Sequence, residues 1–159
     1  MDWKLTALHT PGHAPGHLAF RESRYGAILA GDLVSTVSTI VIDPPEGHLG
    51  TYLQSLERVR ELMSEGEVLH PAHGPVAAEG RRVLERYIEH RVRREDALVR
   101  ALEERPKVEE ELVRLVYADV DEALFPIAAR SLRAGLEKLR EEGRAEETAP
   151  ASWSAREPR

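Results

Sequence analysis

Thr10-Pro-Gly-His-Ala-Pro-Gly-His17 is the stretch on which the reading of this chain turns. Two Pro-Gly pairs within eight residues forbid a regular helix or strand, so His9, His13 and His17 cannot form a helical stripe despite their four-residue spacing. The stretch is a turn. It follows Trp3-Lys-Leu-Thr-Ala-Leu8, whose alternation reads as a short strand. Two further phrases repeat this pattern of an apolar run closed by a metal-capable side chain at a turn: Leu29-Ala-Gly-Asp32 and His70-Pro-Ala-His-Gly-Pro75. Imidazole and carboxylate suit zinc and similar divalent ions. Strand ends fixed by a sheet can bring His13, Asp32 and His73 to one edge although they are far apart in the chain. The set is short, because a two-metal hydrolase needs about six or seven ligands.

The remaining histidines carry less. His17 is either a group that orients a ligand through a hydrogen bond or a buried, hydrogen-bonded histidine with no such role. His48 either reaches a substrate or faces water. His9 reads as a strand-end residue, His70 as pointing away from His73, and His90 as exposed on a helix.

Working outward, His17 to Phe20 and Tyr25 to Ala30 read as strands, and Val34 to Ile42 as extended or looped. Asp43-Pro-Pro-Glu-Gly47 is a break. Leu53, Leu56, Val59, Leu62 and Met63 put one apolar face on a helix from about Thr51 to Ser64. Glu67 to His70 reads as a strand and Pro71 to Pro75 as a loop. The character then changes. Glu79 to Glu104 reads as one long amphipathic helix ended by Pro106, Lys107 to Tyr117 as a second, and a third is capped by Asp119 or Asp121 and stopped by Gly143. Thr148 to Arg159 reads as disordered.

Composition narrows the classes. The 159 residues are 42% apolar with a net charge of -6, which suits a folded domain and argues against coating nucleic acid through bulk charge. There is no cysteine, hence no thiolate metal site. No run approaches the ~20 apolar residues of a membrane span, so a cytoplasmic protein without membrane contact is the expectation. Residues 81–100 hold seven arginines against four acids. Arg91, Arg93 and Arg94 are either part of a basic rail for a phosphate backbone or part of a solvated face of Glu-Arg pairs. Residues 107–147 read as a helix-turn-helix or winged-helix unit, or as a helical cap.

At its three phrases the chain resembles the metallo-β-lactamase superfamily of metal-dependent hydrolases. The run from His73-Gly-Pro-Val76 through Tyr87-Ile-Glu-His-Arg91 to Glu142-Gly-Arg144 is similar to the β-lactamase-like protein 2 branch, near the glyoxalase II-like hydrolases. The resemblance implies a mixed α/β fold: half of an αββα sandwich over residues 1–104, a winged-helix-like domain over 105–147 and a tail over 148–159. It implies His13 and His73 as ligands of two different zinc ions and Asp32 as their bridge. It also implies hydrolysis of a phosphodiester, as in RNA, or of a (thio)ester.

The family's first ligand cluster, H-x-H-x-D-H, is not in this sequence. The resemblance therefore implies a truncated chain with a partial metal site. An exposed half-sandwich is expected to pair with another copy of itself or with the missing half. The alternative is a non-catalytic module that binds RNA or protein through the basic helix and the winged-helix-like domain.

Overall fold

The computed structural model describes residues 2–156. The chain divides into two compact units, one of Met1–Ile40 with Glu46–His90, the other of Val41–Pro45 with Arg91–Arg159. Among the described residues no helix is long and apolar enough to cross a membrane.

The first unit is built on a four-stranded sheet in the order β1 (Leu5–His9), β2 (Leu18–Glu22), β3 (Ile28–Ser35), β4 (Leu69–His73). The first two pairings are antiparallel and β3 with β4 is parallel. A parallel pair needs a crossover, and helix α1 (Leu49–Leu62) supplies it. Helix α2 (Gly80–Glu104) follows β4 and runs on past the division after His90.

Register sorts the side chains onto two faces. Leu8 pairs with Ala19, and these with Ile28 and Ala30 are at most 7% exposed. Tyr52, Leu56 and Val59 of α1 and Leu84 of α2 are fully buried in the same unit. On the opposite face Ala7 pairs with Phe20 and Phe20 with Leu29. Leu5, Leu18 and Leu29 of that face are 41–44% exposed, so the sheet has one covered side and one open apolar side.

Two boundaries differ from the sequence reading. β3 runs on through Asp32 to Ser35, and β4 continues through Pro71 to His73, where a loop was expected. Pro71 is tolerated because β4 is an edge strand, where a missing N–H need not break a central ladder.

In the second unit β5 (Lys107–Val108) leads into α3 (Glu109–Val116), and a 3-10 turn (Glu122–Leu124) leads into α4 (Phe125–Glu141). Asp121 is the cap, its side chain accepting from the Ala123 amide. The chain closes with a hairpin of β6 (Ala145–Ala149) and β7 (Ser152–Ala155). The expectation of disorder from Thr148 is therefore corrected for residues 148–156, while 157–159 lie outside the described residues.

The cause of the hairpin is Trp153, which is fully buried against a cluster that includes Leu112, Leu132, Leu136 and Leu139. Its Nε1–H donates to Glu109 at 2.9 Å. The guanidinium groups of Arg133 and Arg140 lie 5.4 and 5.7 Å from its ring. β7 also pairs with β5, which explains why Lys107 and Val108 are strand rather than the start of a helix. The Lys107 side chain, 2% exposed, ends in an ammonium that donates to the Ala101 carbonyl at 2.5 Å and to Glu104 at 3.0 Å. It thus closes the last turn of α2.

Trp153→Ala should lower the stability of the second unit by about 3–5 kcal/mol, read by urea denaturation. A loss below ~0.5 kcal/mol, the range of an ordinary surface change, would show that the hairpin is not part of this core.

Candidate metal site

The candidate metal ligands all fall in the first unit, and the sheet explains how Asp32 and His73 come together. The loop after β1 is closed on itself by main-chain and side-chain bonds. The Thr10 amide donates to the His17 carbonyl at 3.0 Å, and His9 Nε2 donates to the Pro15 carbonyl at 2.9 Å. The loop is also seated on the start of α1. Ser55 donates to the Pro11 carbonyl at 2.7 Å, and the His48 amide to the Gly12 carbonyl at 2.7 Å.

Gly12 makes the seat possible. Its φ is +129°, and a Cβ there would lie 2.3 Å from the Tyr52 backbone. His13, half-buried, is thereby fixed beside His17, the two rings edge to face with centroids 6.5 Å apart.

Asp32 sits on β3 and His73 at the end of β4. These strands are parallel, so both side chains reach the same edge. His73 Nε2 lies 3.2 Å from Asp32 Oδ1. That oxygen is shielded from solvent and has no hydrogen-bond partner among the described residues, because the ring nitrogen lies close to it without hydrogen-bonding alignment. His17 reaches the same place from below, its Nε2 accepting the Asp32 amide proton at 3.0 Å. Burial, and next the neighbouring His13, lower the proton affinity of His17. The Thr10 carbonyl and the Asp32 carboxylate act in the opposite sense.

A test of fit for a metal ion gives a divided answer. Two donors of one tetrahedral zinc, each about 2.1 Å from it, lie about 3.4 Å apart. The Asp32–His73 separation and the orphaned Oδ1 match that arrangement. Yet among the described residues no group of three or more His, Asp or Glu side chains is placed to hold an ion. His13 does not join the pair as a third close donor, and two donors fall short of a stable coordination shell.

The other expected residues are placed as follows. His48 is half-buried. It is the N-cap of α1, where Nδ1 accepts from the Thr51 amide at 3.1 Å and lies 2.7 Å from the Thr51 hydroxyl. In the second unit Arg94 is engaged by Asp119 at 2.7 and 3.1 Å and by the Val116 carbonyl at 2.6 Å, and it stacks over Tyr117. Arg91 is 6% exposed, and Arg93 is exposed.

Two contributors were not legible in the sequence. Tyr87 uses its hydroxyl to accept from the Ser35 amide at 2.8 Å and to donate to the Ser38 carbonyl at 2.8 Å. It fixes the chain just beyond Asp32. Thr36 donates to the Pro75 carbonyl at 2.7 Å and joins the Asp32 and His73 loops. Neither residue stands in a phrase that announces its role.

Known proteins resemble this chain in sequence and in fold. Residues 1–86 match the model of the Metallo-beta-lactamase superfamily. The chain belongs to that superfamily. Residues 109–153 match the Beta-lactamase associated winged helix domain, so the hairpin of β6 and β7 is the wing.

The superfamily member named beta-lactamase-like protein 2 homolog from Drosophila melanogaster is 31% identical over 143 residues, 88% of this chain and 47% of that protein. An atrochrysone carboxyl ACP thioesterase of Aspergillus chevalieri is 34% identical over 100 residues, 63% of this chain and 30% of the relative. The crystal structure of a metallo-beta-lactamase family protein from Thermus thermophilus superposes with a TM-score of 0.80. It is 30% identical and covers 96% of this chain and 49% of that one. The chain spans about half the length of the curated relatives it matches.

Gly12→Ala should cost more than ~2 kcal/mol, since it sets a Cβ against the first turn of α1 in a strained backbone conformation. Chemical denaturation reads the change, and a neutral effect would contradict the seating of the His13 loop on α1.

Proposed function

We propose that this chain contributes Asp32 and His73 to the zinc site of a hydrolase, and that a second polypeptide segment completes the site. The carrying observation is the 3.2 Å approach of His73 Nε2 to a buried Asp32 oxygen that no hydrogen bond satisfies. Zinc supplies such a site with a water activated at neutral pH and with charge stabilisation for the developing oxyanion. His13, held beside His17, is the next residue in line to enter the shell when the remaining donors arrive.

The completing segment is a second copy of the chain or a segment carrying the H-x-H-x-D-H cluster. The open row of Leu5, Leu18 and Leu29 supports pairing through the sheet. The substrate is a (thio)ester or an RNA-like phosphodiester, in a cytoplasmic setting. The thioesterase among the relatives supports the first.

A second reading has its own support. The lack of a three-donor group among the described residues suits a non-catalytic module that binds RNA or protein. For RNA, Arg93 is the test residue, because it is exposed on the helix. Unchanged retention of single-stranded RNA by Arg93→Glu in a gel-shift assay would remove the basic helix from that reading.

Zinc titration by calorimetry distinguishes the two. The chain alone is expected to bind zinc weakly and to lose that binding in both Asp32→Asn and His73→Ala. Two zinc ions retained per chain after dialysis, or binding indifferent to both substitutions, would overturn the shared-site proposal. Light scattering at micromolar concentration is expected to report an oligomer, and a folded monomer would count against pairing through the sheet.

A further inference from the structure

We propose that His17 is a positioning residue for Asp32: its imidazole, held in the Nδ1–H tautomer by Thr10, accepts the Asp32 amide proton and presets the turn that aims the carboxylate at His73. This rests on the reading of Asp32 and His73 as ligands, and it adds a residue that touches no ion itself.

The proton count fixes the tautomer. A backbone amide can only donate, so Nε2, 3.0 Å from the Asp32 nitrogen, carries no hydrogen. A backbone carbonyl can only accept, so Nδ1, 3.1 Å from the Thr10 oxygen, carries one. The Thr10 hydroxyl, 2.8 Å from Nδ1, shares that proton as a second acceptor. Both ends of the ring thus require the same neutral form. A doubly protonated ring would set N–H against N–H at Asp32.

The ring has room because residue 31 is glycine. Gly31 has φ of +55°, and a Cβ there would stand 2.8 Å from His17 Nε2. The fully buried Thr10 follows β1, His17 precedes β2 and Asp32 lies on β3, so one side chain ties three strands at the edge where the site forms. Its edge-to-face contact with His13 extends the same brace to the other candidate ligand. A histidine present only to fill space would need neither a fixed tautomer nor a glycine behind it.

The tautomer is read in the metal-free full chain by long-range proton–nitrogen spectra of the histidine rings. The expected signature is a protonated Nδ1, a bare Nε2 and a coupling from that Nε2 to the Asp32 amide. In His17→Leu the Asp32 amide should exchange with solvent at least ~10-fold faster, while His17→Gln, whose side-chain oxygen can replace Nε2 as acceptor, should recover most of the protection. Gly31→Ala keeps the His17 side chain but sets a Cβ 2.8 Å from its Nε2 and strains the backbone at residue 31, where φ is +55°. It should raise Asp32 exchange in the same way, which keeps the proposal open to refutation if the leucine variant fails to fold.

A His17 ring protonated on Nε2, or Asp32 protection that Gly31→Ala leaves untouched, would overturn the assignment. Because no ion is present in these measurements, failure here leaves the zinc reading standing. Failure of the zinc titration would likewise leave the tautomer intact.

Discussion

Everything at the candidate site follows from the parallel pairing of β3 with β4. Two strands that run the same way end at the same edge, so residues forty-one positions apart in sequence, Asp32 and His73, meet there. The crossover this demands is α1, and the α1 N-terminus then becomes the floor on which the Gly12–His13 turn rests. Pairing, crossover and turn are therefore one constraint seen three times. Reversing β4 would separate the aspartate from the histidine, and with α1 no longer needed as a crossover the His13 loop would lose its support.

How much of this was legible in the sequence depended on whether a feature was local. The first phrase marked where a strand ends, because Pro-Gly is punctuation whatever surrounds it, whereas β3 runs on through Asp32 and β4 through Pro71. The long helix, its end before Pro106 and the Asp121 cap were likewise local signals. What could not be read were features whose cause lies far along the chain. Lys107 and Val108 are strand only because Trp153 and Ser152 arrive opposite them. The hairpin forms only because one tryptophan reaches a core made by α3 and α4. Of the three metal-capable residues that close these phrases, Asp32 and His73 lie in contact. Sequence spacing names the side chains at an edge and does not measure the last few ångströms between them.

The two units hold themselves together differently. The first relies on a sheet with one apolar face under helices, and its polar bonds are concentrated in loops that converge on Asp32 and His73. The second is smaller and leans on charge around its tryptophan. Glu109 accepts from both Trp153 and Arg133, and Glu95 from Lys138 at 2.7 Å and Arg144 at 2.5 Å. Arg94, Arg105, Arg114, Arg133 and Arg144 each meet an acidic side chain, so part of the segment's positive charge is offset within the fold.

The burial of Lys107 has a practical side. The chain has three lysines, and Lys138 is pinned between Glu95 and Glu142 as firmly as Lys107 is between Ala101 and Glu104. Only Lys4 stands open, next to the first strand of the sheet and its uncovered leucines. Among the side chains, an amine-reactive dye will therefore settle at one address, and its colour will report whatever comes to lie over that face.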